Sequence, residues 1–210
     1  MFTADQVWGL AVAADRINEG YLKEPVYDFD VDQRNPVKEA NKAMLRRWLR
    51  ESNFSAATAA DIEKGQAVRN YFQGFLLREI SGKLNEFDRQ ALKLAQKDEF
   101  TGRDMLDFAI ISCLPAAMLR DKARMDHKRE VRESEQLAAA EGETVITDVE
   151  VIKCHYSQNF GRWRVTARAG DSFVDFWFGK ELQGTHLVKA KVKQHRGDNT
   201  TQISHVKIIG

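Results

Sequence analysis

The sequence predicts an α+β protein: an all-helical N-terminal domain over 1–115, a charged connector helix over 116–142, and a small five-stranded antiparallel β-barrel over 143–210. Three observations carry this. Apolar residues recur at helical spacing as far as Leu114. At Glu143 the helix formers give way to β-branched and aromatic residues that alternate with polar ones. Turn signals then divide the last third into five short runs. With 43% hydrophobic and 30% charged residues, the 210-residue chain has the composition of folded domains rather than of a disordered segment.

Thr3-Ala4-Asp5-Gln6 reads as a capping box that opens a first helix over about 4–19, and Gly20 stops it. The acidic stretch from Lys23 to Gln33 reads as a solvated extended loop or a short edge strand. Its D-F-D-V-D core lacks the glycine and terminal glutamate of a calcium loop, so no metal is expected there. Asn35-Pro36 is a helix start, and the second helix places Ala40, Met44, Leu45, Trp48 and Leu49 on one face. Its Arg46, Arg47 and Arg50 are expected on the solvated faces. A third helix runs from Thr58 to Ser81, with Gly65 and Gly74 marking close helix packing.

A fourth helix is expected over about 85–97, with Phe87, Leu92, Leu94 and Ala95 in the core. Thr101 to Asp104 caps a further helix, which Pro115 kinks or restarts. From there to Gly142 the chain is charge-dense and its apolar positions are too irregular for heptads, which predicts an exposed connector helix.

The five strands are expected at about 144–155, 161–169, 172–178, 186–195 and 201–209. That is the strand count of an OB-fold barrel, and an SH3-like barrel has a similar one. Because successive strand side chains point to opposite faces, Arg162, Arg164 and Arg168 share the outward face of the second strand, while Trp163, Val165 and Ala167 point inward. On the third strand Phe173 and Trp177 fall outside with Asp175. On the fourth, Lys189, Lys191, Lys193 and His195 fall outside and Val188, Ala190 and Val192 inside.

Charge is distributed unevenly. Residues 151–210 carry ten Lys or Arg against four Asp or Glu, a surplus of six, which leaves residues 1–150 at −5 in a chain of net charge +1. Exposed cations beside exposed aromatics suit single-stranded nucleic acid, which offers phosphates to the first and unpaired base faces to the second. The expected nucleic-acid-binding residues are therefore Arg162, Arg164, Arg168, Phe173, Trp177, Lys189, Lys191, Lys193 and His195.

The C-terminal stretch, with its aromatic "FWF", the short link "GKELQG", "VKAKVKQHR" and the closing "TQISHVKII", resembles OB-fold domains of tailed-bacteriophage replication and recombination proteins. The resemblance covers a quarter to a third of the chain and implies binding of single-stranded DNA. One departure is the link Gly179 to Gly184, which is too short for the helix many OB folds carry there. The expectation is a single-stranded DNA-binding protein whose helical domain docks a protein partner or drives assembly, homo-oligomerisation included. The alternative is a phage-encoded adaptor or inhibitor acting on host machinery.

No P-loop, dinucleotide fingerprint, nucleophile elbow or H-E-x-x-H motif occurs, so no enzymatic activity and no cofactor are expected. Asp104 and Asp107, with Glu99 nearby, are better explained by capping and surface roles than as nuclease carboxylates. Cys113 and Cys154 stand far apart without clustered histidines and are expected as plain buried thiols. With no run of 18 apolar residues and no signal-peptide pattern, the chain is expected to be cytoplasmic, in the host cytoplasm if viral, and to have no membrane association.

Overall fold

The computed structural model describes residues 1–27 and 36–210. The acidic residues Asp28, Asp30 and Asp32 and the expected cap Asn35 lie outside the described residues. The chain divides into two compact units, 1–122 and 123–210.

In the first unit, α1 (Ala4–Ile17) starts at the capping box, with the Thr3 hydroxyl accepting from the Gln6 amide and the Gln6 side chain accepting from the Thr3 amide. Val7, Trp8, Leu10, Ala11 and Ala14 are buried along it. It crosses α3 (Ala59–Gln73) where Gly9 meets Ile62 and Gly65 meets Trp8. A Cβ on Gly65 would stand 2.7 Å from backbone atoms of Trp8 and Gly9.

The expected second helix begins later than Pro36. Lys38 instead forms an isolated antiparallel bridge with Val26, whose carbonyl also accepts from the Val37 N–H, and α2 spans Asn41–Arg50. Asn41 fixes this start: its fully buried side chain accepts from the Asn18 amide group and the Leu22 N–H and donates to the Gly20 carbonyl.

The third expected helix breaks at Gly74, which ends α3, and resumes as the short α4 (Leu76–Ile80). Of the two glycines, Gly65 makes the close helix approach and Gly74 is a cap. In α5 (Glu86–Ala95) Leu92, Leu94 and Ala95 are buried as expected, whereas Phe87 is exposed. Two-residue strands β1 (Phe2–Thr3) and β2 (Glu99–Phe100) pair before α6 (Met105–Ile111), and α7 (Leu114–Glu133) restarts at Pro115. Cys113 and Cys154 are both free and half-buried, and burial pushes the Cys113 thiol up.

The helix leading into the barrel ends at Glu133, not near Gly142. Two causes are visible within the second unit. The side-chain amide of Asn199 donates to the carbonyls of Arg132 and Ser134, closing the helix end. The following segment is then tied to the barrel, with Leu137 packed on its core and the Leu137 amide donating to the Thr201 hydroxyl.

The barrel is closed, with strand order β3 (Thr144–Ser157), β4 (Arg162–Ala169), β5 (Ser172–Phe178), β7 (Thr200–Ile208), β6 (Thr185–His195). It is not wholly antiparallel: β5 and β7 pair in parallel, Val174 opposite Thr201, and this is the pair that closes an OB-like barrel. β3 is long enough to serve two neighbours, pairing with β6 through Thr144–Glu150 and with β4 through Glu150–Ser157, with a bulge between Val151 and Lys153. Val149, Val165, Val174, Phe176, Val188, Ala190 and Ile203 fill the interior. The short link between β5 and β6 contributes no helix but places Leu182 against this core.

Candidate nucleic-acid interface

The outer surface of the barrel carries two separate polar faces, because β4 and β6 are not neighbours. Lys191 stands opposite Thr144 at the start of β3, and Arg164 opposite His155 near its end. At about 3.3 Å per residue, the two basic stripes are separated by roughly 35 Å of strand. They do not form one continuous stripe.

The first face lies on β3, β6 and β7. Lys189 is flanked by Ile146 and Lys207, and Lys191 by Thr144 and Ser204. All three lysines and Lys193 are exposed, and none forms an ion pair among the described residues. Lys207 escaped the alternation. Counting by twos from the inward Ile203 would bury it, but His205 adopts a left-handed conformation (φ 52°) and an extra residue is inserted in β7, so Lys207 emerges opposite Lys189.

A second bulge explains His195. Val192 faces Ile203 and Gln194 faces Gln202, so Lys193 is the extra residue on β6 and the alternation shifts after it. His195 therefore lies opposite the buried Thr201, not outward with the lysines. One ring nitrogen, Nε2, donates to the Ala139 carbonyl at 2.8 Å, and Nδ1 meets the Thr201 hydroxyl at 3.0 Å. The ring is a clasp for the segment after α7.

The second face lies on β3, β4 and β5, where His155, Arg164 and Trp177 form one cross-strand row. Phe160, 68% exposed in the β3–β4 turn, packs on the half-buried Trp177 with ring centroids 4.9 Å apart. Tyr156 and Trp163 form a further pair, 5.5 Å apart, on the inward-facing register at the end of the same two strands. Arg162 is exposed and unpaired among the described residues.

Three expected contacts are committed elsewhere. Arg164 donates to Asp175 Oδ2 at 3.0 Å, and Arg168 donates to Glu130 at 3.3 Å. Phe173 does point out of the barrel, since it sits opposite Arg168, but it is only 2% exposed. The His127 ring meets its edge and the Arg168 guanidinium stands over its face. No sequence periodicity announces that cover, because it comes from a helix some forty residues earlier.

In the first unit the carboxylates Asp104 and Asp107 are neutralised locally. Lys97 Nζ lies 2.7 Å from Asp107 and 3.4 Å from Asp104, and Asp104 also accepts from the Thr101 amide. Backbone donation by Thr101 and the Lys97 ammonium hold Asp104 below the ordinary carboxylate range. Among the described residues no group of three or more His, Cys, Asp or Glu is placed to hold a metal ion, and no helix is long and apolar enough to cross a membrane.

Comparison with known protein families, with curated proteins and with solved structures returned no match.

Proposed function

We propose that the barrel binds single-stranded DNA with little sequence preference, as a binding protein rather than an enzyme. The observation that carries this reading is the stripe formed by Lys189, Lys191, Lys193 and Lys207, four exposed lysines without carboxylate partners among the described residues. Unpaired cations in a row raise the local positive potential and suit a polyanion. The second support is the Phe160–Trp177 pair beside Arg162, which offers a stacking surface on the strand pair and turn through which OB-type barrels bind oligonucleotides.

In this reading the lysines track phosphates, Arg162 adds one contact, and bases stack on Phe160 and Trp177. Phe173 and His195 are left out because both are engaged in packing the barrel. The replication or recombination role implied by the C-terminal resemblance belongs to the same proposal. So does docking of a protein partner by the helical unit, for which the support is α4, where Leu77 and Ile80 are 77% and 78% exposed.

The test is a fluorescence titration of the whole chain with labelled oligothymidine at low and moderate salt, against a matched duplex. Saturable, salt-sensitive binding that prefers the single strand is expected. Absence of binding at low salt, or preference for the duplex, overturns the reading.

A further inference from the structure

A cavity of about 310 Å³ lies within the second unit, between the last turns of α7 and the outer face of β4 and β5. That volume is at the lower end of the range for small-molecule sites. Its floor includes Asp175, a carboxylate only 4% exposed. Asp175 Oδ2 accepts from both Arg164 and Arg196 at 3.0 Å, while its buried Oδ1 has no hydrogen-bond partner. A buried carboxylate oxygen left unsatisfied is costly, and native proteins rarely leave one so.

The charge around it is equally unbalanced. Lys128, Arg132, Arg164 and Arg196 line the cavity against Asp175 and Asp198, a surplus of two positive charges. Two arginines share the single Asp175, and Lys128 and Arg132 form no ion pair among the described residues. A cationic rim over a buried acceptor calls for a ligand with two unlike ends: an anion of about two charges, and a donor that reaches inward. A phosphate monoester supplies the first and a nucleobase N–H supplies the second. The partial negative charge at the end of α7 opposes an anion, and Lys128 and Arg132 on its last turns offset it.

We propose that this cavity is a site for one phosphorylated nucleotide, its phosphate held by Lys128 and Arg132 and a base N–H directed at the Asp175 carboxylate on its floor. The site goes beyond the single-strand surface and does not rest on it, since the lysines of β6 and β7 take no part. The nucleotide has two possible sources, a free mononucleotide or the phosphorylated end of a strand, which share this chemistry.

The experiment is calorimetric titration of the full chain with 2′-deoxycytidine 5′-monophosphate, with deoxycytidine and inorganic phosphate as separate probes. One-site binding by the monophosphate is expected, weakened at least tenfold when either half is removed. The double variant Lys128→Ala, Arg132→Ala alters exposed side chains and should fold normally while losing tenfold or more in affinity. Asp175→Asn also loosens two arginines, so its melting temperature is measured beside its affinity and the double variant remains the deciding one. A phosphorylated oligonucleotide that displaces the monophosphate where its 5′-hydroxyl form does not assigns the site to strand ends; failure of both to displace it assigns the site to free nucleotide. No saturable binding of the monophosphate, equal binding of inorganic phosphate, or full affinity in the double variant overturns the proposal. Strand binding by the Lys189 face is measured on the same samples, so loss of one activity is separable from loss of the other.

Discussion

Lys189 on β6 and Lys207 on β7 are cross-strand partners, directly opposite each other on the barrel's outer face, with no carboxylate paired to either. Like charges so placed destabilise a sheet by up to about 1 kcal/mol. If the pair exists for a polyanion, stability and binding must respond in opposite senses. Lys189→Glu is expected to raise the free protein's denaturant midpoint slightly, while weakening oligothymidine binding and lowering the salt slope by about one or more. A variant that gains stability and keeps full DNA affinity would assign the lysines to some other purpose.

The exposed Phe160, packed on Trp177, and the covered Phe173 should part company on mutation. Trp177 and its neighbour Phe160 are open to a base, whereas Phe173 is sealed under His127 and Arg168. Phe160→Ala is expected to leave the melting temperature nearly unchanged and to weaken single-strand binding by about 1–3 kcal/mol. Phe173→Ala should cost about 3–5 kcal/mol of stability as a large buried side chain. Urea melts and titrations of both variants check the pair together.

How far the site could be read from sequence follows from where the alternation holds. It holds on β4 and β5, so the directions of Arg162, Arg164, Phe173 and Trp177 follow from period two alone. It fails where bulges insert a residue, at Lys193 and around His205, and there His195 turns inward and Lys207 turns outward. Bulges leave no fixed residue signature in this sequence. Cover by a distant element is equally silent: Phe173 has the right direction and the wrong exposure because α7 lies over it. In the helical unit the capping boxes at Thr3 and Thr58 fall where hydroxyl-capped starts are readable, while α2 starts at Asn41 because of long-range bonds to Asn18, Gly20 and Leu22.

Gly65 permits the closest approach of α1 and α3, with backbone atoms of Trp8 and Gly9 2.7 Å from where a Cβ would stand. Backbone cannot swing aside as a flexible side chain can. Although alanine is the better helix former by roughly 1 kcal/mol, Gly65→Ala should destabilise by about 1–3 kcal/mol through overpacking. Gly74, whose nearest non-neighbour is the Tyr71 carbonyl at 3.2 Å, marks a helix end, so Gly74→Ala should be milder. Thermal melts of the two variants give the comparison, and equal losses would contradict the close crossing.

Asp61 caps α3 by accepting from the Thr58 amide and binds Arg16 of α1 through both carboxylate oxygens, at 3.0 and 2.9 Å. The Arg16 guanidinium and the Thr58 donors hold its carboxyl down to about 2 from the ordinary 3.8, against a burial effect that opposes them. A carboxylate whose folded pKa lies below its unfolded value contributes stability that is fully present above the unfolded value and fades as pH falls through the folded one. The contribution of this group should therefore be intact above pH 3.8 and disappear towards pH 2. Asp61→Asn keeps a capping oxygen but loses the charge. It should lower stability by about 1–3 kcal/mol at neutral pH and flatten the acid limb of the stability profile between those two values. Parallel acid titrations of wild type and variant, followed by far-ultraviolet circular dichroism at fixed urea, measure the difference, and superimposable acid limbs would show that the Arg16 contact does not couple to folding.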